Sequence, residues 1–511
     1  MKYALLIALL TFLQVPSYAQ QAKNDYNWTF GYAPTGPGQP DYDGTLLNFN
    51  QSPVEHLYFD IPVDLEASAV VSDSLGRLLF YSNGCRILNA EHKVMQNGNE
   101  INEGGLLYQQ TCAGRFAYRS YQGLLILPFP GRHQQYVMLH LHRPDYDNRY
   151  NKELLYTVVD MTQDSGRGAV TLKNQLAYQG DILMDMLTAV RHANGRDWWI
   201  VVPKTNSLQY FVSLLDDRGL HPRQVQTLHR AVPMNSYPVQ AVFSPNGRKY
   251  ATMDVSGHLQ VFDFDRCAGQ LSNPRRVAFP DDTISACGVA ISPSSRYLYV
   301  STTTKLYQFD LLAPDLAASR QYIAYWDGHI DPQVQATTFF AQMLAPDGQI
   351  YMMYTNSNKT LHIIHHPDRP GKACDFEQRG VQLLTWNRSM PNFPHFRLFD
   401  VPGSPCDTLG INGPQPPEDT LVVKPPLLCA GGVQLHPNPA NTMTTLELPN
   451  CQGGTLTVYD VTGRQVQVLP LEAGVISVPV DLSRYVSGVY MLHIRLAGGG
   501  VVVRSLAVVR Q

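Results

Sequence analysis

The chain has 511 residues, a formal net charge of −3 and 16% charged residues. That balance carries no basic footprint for nucleic acid or an anionic membrane. The length favours more than one domain, and 28 Tyr, 38 Gly and 36 Pro suit many short strands joined by tight turns.

The first residues, "MKYALLIALLTFLQVPSYAQ", place Lys2 before an apolar run, Ala4–Leu13, and end on the small residues Ser17 and Ala19. This is the pattern of a secretory signal peptide, assigned to residues 1–19, and its apolar core is too short to span a bilayer. No later run approaches the ~20 apolar residues of a membrane helix, so no transmembrane segment is expected. Cysteines stand at 85, 112, 267, 287, 374, 406, 429 and 451, with no C-x-x-C pair. In an exported chain an even number suggests disulfides. Sequence neighbours, Cys85 with Cys112 and Cys267 with Cys287, are the simplest pairing, and free buried thiols are the alternative.

From Trp28 to about Asp400 one unit recurs. "AVFSPNGRKYATMDVSGHLQVFDF" (241–264), "VAISPSSRYLYVSTTTKLYQFDL" (289–311) and "QMLAPDGQIYMMYTNSNKTLHII" (342–364) are the clearest copies, with looser ones at 69–88 and 189–214. Each reads as an apolar strand, a polar turn and an aromatic-rich strand. In "SPNGRKYATM", Pro245 can set the first turn position, and Asn246 and Gly247 tolerate left-handed backbone. In "HLQVFDF" the alternation leaves one side apolar, and a lone hairpin cannot bury such a side. The turn positions Gly76, Gly195, Gly247, Ser295 and Gly348 fall roughly 50 residues apart once the longer first gap is divided near Gly131, and a period of that size marks propeller blades. The expectation is an all-β chain: a β-propeller of about seven blades over residues 20–405. A pair of β-sandwiches is the runner-up. "NWTFGY" (27–32) and "FPHFRLFDV" (393–401) both read as strands, and pairing them in one blade would close the ring.

"NWTFGY", "VVSDSLGRLLFYSNG", "VMQNG" and "LLYTVVDMTQDSGRGAVTLKNQLAY" resemble a group of exported propeller-like proteins of Bacteroidota bacteria. The likeness covers roughly residues 27–400 and concerns fold and turns rather than chemistry.

Residues 406–432 contain five prolines and read as an extended linker. Residues 433–511 then form a small antiparallel sandwich of about seven strands. In "GVYMLHIRL", Tyr490, Leu492, Ile494 and Leu496 share one face and Met491, His493 and Arg495 the other. "HPNPA" (436–440), "LTVYDVTGRQV" (456–466), "VDLSRYVSGVYMLHI" (480–494) and "SLAVV" (505–509) closely resemble the C-terminal sorting domain of the type IX secretion system. The resemblance implies passage across the outer membrane, contact with the type IX machinery through residues 433–511, and a secreted or surface location reached through the periplasm.

Catalytic signatures are scarce: G-x-S-x-G, H-E-x-x-H and G-x-x-x-x-G-K-[ST] are absent. In "HIIHH" (362–366), His362 and His366 share a strand face but stand about 13 Å apart, too far for one ion. They read as exposed polar residues at a blade edge. His140 and His142 are better spaced but lack a third ligand. Asp145, Asp147, Asn148 and Asn151 form an oxygen-rich loop without the spacing of a calcium hand. Trp198, Trp199, Tyr237, Tyr322, Tyr325 and Trp326 could stack on a sugar or partner, or fill wedges between blades. No catalytic, cofactor-binding or metal residue is therefore assigned, and no cofactor. The sequence favours a secreted or cell-surface propeller that binds an unknown protein or glycan. The alternative is a propeller enzyme acting on polysaccharide, as a lyase or glycosidase, which would need convergent carboxylates, His or Tyr at one channel mouth.

Overall fold

A computed structural model describes residues 22–409 except 37, 40, 119, 145–150, 184, 234–239, 281, 283 and 332–335, and residues 434–510 except 449–453, 462–463, 473–476 and 497–500. The signal peptide and most of the linker lie outside the described residues. The chain divides into two compact units, Met1–Pro414 and Gln415–Gln511.

Seven antiparallel sheets make up the described part of the first unit. Blade I holds Asn27–Tyr32, Asp43–Asn48 and Glu55–Phe59; blade II holds Ala69–Ser72, Leu78–Ser82 and Ile87–Asn89. Blade III holds Leu124–Pro128, Gln135–His142, Asn151–Asp160 and Ala169–Ile182, and blade IV holds Thr188–Arg191, Trp198–Pro203, Gln209–Asp216 and Gly219–Thr227. Blade V comprises Gln240–Phe243, Lys249–Met253, His258–Asp265 and Gln270–Ala278. Blade VI comprises Gly288–Ile291, Tyr297–Ser301, Lys305–Asp310 and Gln321–Tyr325, and blade VII Phe339–Leu344, Ile350–Tyr354, Asn358–Ile364 and Phe376–Asn387. Each blade is an up-and-down meander, so hairpin-adjacent residues pair in register.

The sheets stack face to face. Ala251, Leu259, Val261, Val289 and Leu298 form the wedge between blades V and VI. Phe243, Tyr250, Phe262 and Phe264 turn the other way, toward Trp199 and Tyr210 of blade IV. Gln260, on the strand His258–Asp265, is fully buried as well and exchanges hydrogen bonds with Val232. The expected single apolar face is thus two buried faces, because a blade has a neighbour on either side. The last wedge closes the ring: Trp28, Phe30, Leu47 and Phe49 of blade I pack on Phe340, Tyr351 and Met353 of blade VII. Trp28 lies 5.0 Å from the Phe49 ring and 5.4 Å from that of Tyr351. The fold is an all-β propeller of seven blades, and the two-sandwich alternative does not hold.

The chain ends do not share a hydrogen-bonded sheet. Asn27–Tyr32 is a strand, as expected, but pairs with Asp43–Asn48. Residues 393–401 form no strand; Pro394 within this segment and Pro391 just before it lack the N–H groups a ladder requires.

Two disulfides are formed, Cys85–Cys112 and Cys267–Cys406. The first is the expected pair. The second replaces Cys267–Cys287: Cys267 lies in the turn between the outer strands of blade V, whereas Cys287 precedes the innermost strand of blade VI and its buried thiol, in the V–VI wedge, donates to Met253 O.

The second unit contains seven strands among its described residues, in sheets of three and four. Its core gathers Leu446, Leu456, Val458, Leu492, Ile494 and Leu506. Tyr490, Leu492 and Ile494 are buried while Met491, His493 and Arg495 are exposed, the alternation legible in the sequence. No helix among the described residues is long and apolar enough to cross a membrane.

The turns occupy matching places. Gly76, Gly195, Gly247 and Gly348 have φ of 84°, 74°, 71° and 81°, and Ser295 has 64°. Ser295 compensates through its hydroxyl, which accepts the Asn246 N–H of the neighbouring turn at 3.0 Å. Two of the glycines separate backbone strain from crowding. A Cβ at Gly247 would lie 2.7 Å from Arg266 Cδ and from Leu398 Cδ2, whereas at Gly348 the nearest atom is Pro293 Cγ at 3.8 Å. Both positions cost about 1–2 kcal/mol of left-handed strain with a side chain. Gly247→Val should therefore lower the melting temperature clearly more than Gly348→Val, at ~2–4 °C per kcal/mol or less for a domain this size. Equal melting of the two variants would contradict the packing at Gly247.

Candidate functional site

After Asn387 the chain leaves blade VII and runs along the propeller axis. Met390 packs into the VII–I wedge, and Phe393 touches the wedges III–IV, VII–I and I–II. Asn392 is its buried polar anchor. Its amide N–H groups donate to Leu124 O and Leu187 O, both at 2.9 Å, and its Oδ1 accepts from Gln122 Nε2 at 3.3 Å. Gln122 also exchanges bonds with both backbone groups of Ala241. A void of only ≈ 10 Å³ remains here, beside Tyr121, Gln240 and Met390, about the space of one water. Farther along, His395 donates to Phe243 O at 2.9 Å. Arg397 makes two bonds to the Asp25 carboxylate, both 2.6 Å. Arg266 holds Phe399 O, and Cys406 closes the segment through its disulfide. At this end, a pocket of ≈ 200 Å³ opens between Pro245, Pro293, Pro346, His395 and Arg397.

The other end of the axis is polar. Four stretches distant in sequence meet there: the end of the first strand of blade I (Tyr32), the blade I–II connection (Glu66), the residue before blade III's innermost strand (Tyr121), and blade VII's inner turn with its exit (Ser357, Arg388). Tyr32 Oη lies 2.8 Å from Ser357 Oγ and donates to Glu66 Oε1 at 3.4 Å. Glu66 Oε1 and Arg388 Nη1 are 4.0 Å apart, with side chains 20% and 40% exposed. Arg388 Nε–H donates to Thr355 O at 3.3 Å, and its guanidinium lies 6.0 Å from the Tyr121 ring centre. Burial raises the phenol of Tyr121, with the Arg388 charge opposing. Beneath lies Asp185, fully buried, accepting Ser120 O–H at 2.8 Å and Gln122 N–H at 3.0 Å. Burial pushes its carboxyl up to about 6.

The histidines singled out by sequence are structural. His362 is wholly buried, not at an exposed edge: Nε2–H donates to Thr337 O and Nδ1 accepts Arg379 N–H, each at 3.1 Å. His365 bridges Gln349 and Glu377, and His366 is exposed. His140 lies between Asn102 Oδ1 (2.6 Å) and Thr157 Oγ1 (3.0 Å), and His142 Nδ1 is 2.8 Å from Glu153 Oε2. Among the described residues no three metal-ligating side chains gather. Asp145, Asp147 and Asn148 lie outside the described residues, as does Tyr237, and of Asn151 only the backbone is described. Trp198 and Trp199 are buried in the wedges flanking blade IV. Tyr322 and Tyr325 are exposed on the outer strand of blade VI, and Trp326 is half-buried. None of these belongs to the rim cluster, and no local pattern in the sequence marks its five members.

Residues 434–508 match the family described as the secretion system C-terminal sorting domain. The match supports export by the type IX route, with a surface or secreted destination. No curated protein matches the chain. Among solved structures, a putative 6-phosphogluconolactonase from Bacteroides uniformis ATCC 8492 is similar at 13% identity and a TM-score of 0.42, over 70% of this chain and 97% of its own. One from Bacteroides fragilis NCTC 9343 has 12% identity and a TM-score of 0.43, over 71% and 98%. The periplasmic gluconolactonase of Pseudomonas aeruginosa has 12% and 0.37, over 71% and 98%. Likenesses at this level carry no inference about chemistry in this chain.

Two predictions concern the axis. Asn392→Leu removes three buried hydrogen bonds, to Leu124 O, Leu187 O and Gln122, and should cost about 2–4 kcal/mol, read as a lower denaturation midpoint; an unchanged midpoint contradicts the axial placement. The second follows from His362, whose imidazole burial lowers from 6.5 to about 3. Above pH 6.5 it is neutral folded or unfolded; as the pH falls from there toward 3 the unfolded chain takes up the proton first, and stability is lost. His140, lowered to about 3, and His395, lowered to about 4, act alike. Asp64 and Asp185, both raised to about 6, oppose them, since they protonate first in the fold. His362→Gln should flatten the acid limb of melting temperature against pH; a limb parallel to the parent's contradicts the assignment.

Proposed function

We propose that the chain is a secreted or cell-surface propeller that binds a protein or glycan ligand through the Tyr32–Glu66–Arg388 end of its axis, and that the sorting domain delivers it there through the type IX machinery. The observation carrying this reading is the use of the axis. Its interior is filled by the chain's own Met390–Phe393 and held by buried amides, while donors, acceptors and an aromatic ring from blades I, III and VII converge at the rim. A ligand is therefore met at the surface rather than enclosed. The sorting domain has its own core of fifteen buried residues, Leu435 to Val508, so recognition for export and recognition of ligand are separable tasks.

The test applies the full secreted chain to protein and glycan arrays, beside an assay for newly released sugar ends from polysaccharides. Saturable binding without release supports a binding protein; turnover supports the polysaccharide enzyme instead. Deletion of 433–511 should leave the propeller folded and trapped in the periplasm, judged by fractionation and circular dichroism. Normal surface display of the truncated chain would contradict the export role.

A further inference from the structure

We infer that the rim cluster is a saccharide site, taking two adjacent hydroxyls of a neutral sugar between the Glu66 carboxylate and the Arg388 guanidinium. The assignment rests on the reading of this rim as the binding face and adds the chemistry of the ligand. Glu66 Oε1 and Arg388 Nη1 stand 4.0 Å apart, about 1 Å longer than a hydrogen bond. Both groups have other commitments: Tyr32 donates to the carboxylate, and Arg388 Nε–H is spent on Thr355 O of blade VII's inner turn. The gap is thus set by blades I and VII together.

A hydroxyl is both donor and acceptor, so one placed in this gap can donate to Glu66 and accept from Arg388. A second, on the next carbon, can use the other carboxylate oxygen or another guanidinium N–H. Such bonds are charge-assisted and stronger than neutral ones. The two charges cancel across the site. An anionic ligand would meet Glu66 and a cationic one Arg388, which favours a ligand that is polar and uncharged. The half-buried ring of Tyr121, beside Arg388, gives the apolar C–H side of a sugar ring a surface to lie on. The Ser357 hydroxyl, 2.8 Å from Tyr32 Oη and donating to it while Tyr32 donates to Glu66, offers a further oxygen able to accept from a sugar hydroxyl. A peptide would bring a backbone strip, which pairs with a strand edge rather than with a carboxylate and a guanidinium.

The test uses the full secreted chain on an array of neutral, uronic-acid and amino-terminated oligosaccharides, half of each spot treated with periodate, which cleaves adjacent diols. The expected result is binding to neutral sugars that periodate removes, and that Glu66→Gln and Arg388→Met each weaken about tenfold or more, the loss of one charged hydrogen bond. Melting temperature controls for folding, and Ser357→Ala, a smaller change, should weaken binding if either variant misfolds. Sugar binding that survives periodate, or survives the substitutions in folded protein, overturns the inference. A blank sugar array with saturable binding on the protein array overturns it too, leaving the binding reading intact. Blank arrays with sugar release from polysaccharide overturn both.

Discussion

Every blade of this propeller is stable only between two others. A four-stranded sheet such as blade V has apolar side chains on both faces, Leu259 and Val261 toward blade VI and Phe262 and Phe264 toward blade IV. Neither face can meet water at low cost. Seven such wedges form a closed chain of dependencies, and the seventh is the critical one because it joins the first blade to the last rather than two blades consecutive in the chain. Blade I contributes three strands and blade VII four, joined by the rings of Trp28, Phe49 and Tyr351, by the buried Thr45–Thr385 contact and by the Trp386 N–H donating to Asp41 O. The segment after Asn387 reinforces this seam. Phe393 stacks on Trp28 at 5.9 Å, and the pair of half-buried Arg397 with buried Asp25 ties the segment to the start of blade I.

Filling the axis has a consequence for function. Near the innermost strands, Gln122, Gln240 and Gln342 bond backbone groups of other blades, as Gln240 does to Gln342 N–H and O. Together with Asn392 they satisfy the polar groups that a narrow channel would otherwise leave exposed to a few trapped waters. Polar side chains that keep some contact with solvent are displaced to the rim, where Glu66 and Arg388 remain partly exposed. At the other end, Arg397–Asp25 and the Cys267–Cys406 disulfide hold the axial segment beside the pocket lined by His395 and Arg397.

What the sequence revealed was local. The turn glycines could be found because left-handed backbone writes itself into Asn-Gly and Asp-Gly pairs, and the sorting domain because one face of "GVYMLHIRL" is dry. What it concealed was between blades. Cys267 pairs across 139 residues, while the nearer Cys287 starts a different blade. His362 resembled an edge residue because its two hydrogen-bond partners, Thr337 and Arg379, are contributed by a loop and an outer strand. The rim residues Tyr32, Glu66, Tyr121, Ser357 and Arg388 share no motif, since their proximity is produced by ring closure alone. Prolines 391 and 394 were misleading in a simple way: aromatic residues around them look like a strand, but the missing donors make an axial filler instead.

Native-state hydrogen exchange on the full chain tests ring closure most directly. If the VII–I seam is as firmly joined as the other wedges, strand amides of Asn27–Tyr32, Asp43–Asn48, Ile350–Tyr354 and Asn358–Ile364 exchange only with the global unfolding of the propeller, together with those of blades IV and V. Exchange of blade I or blade VII through a separate, lower-energy opening would contradict a closed ring locked by its own C-terminal segment.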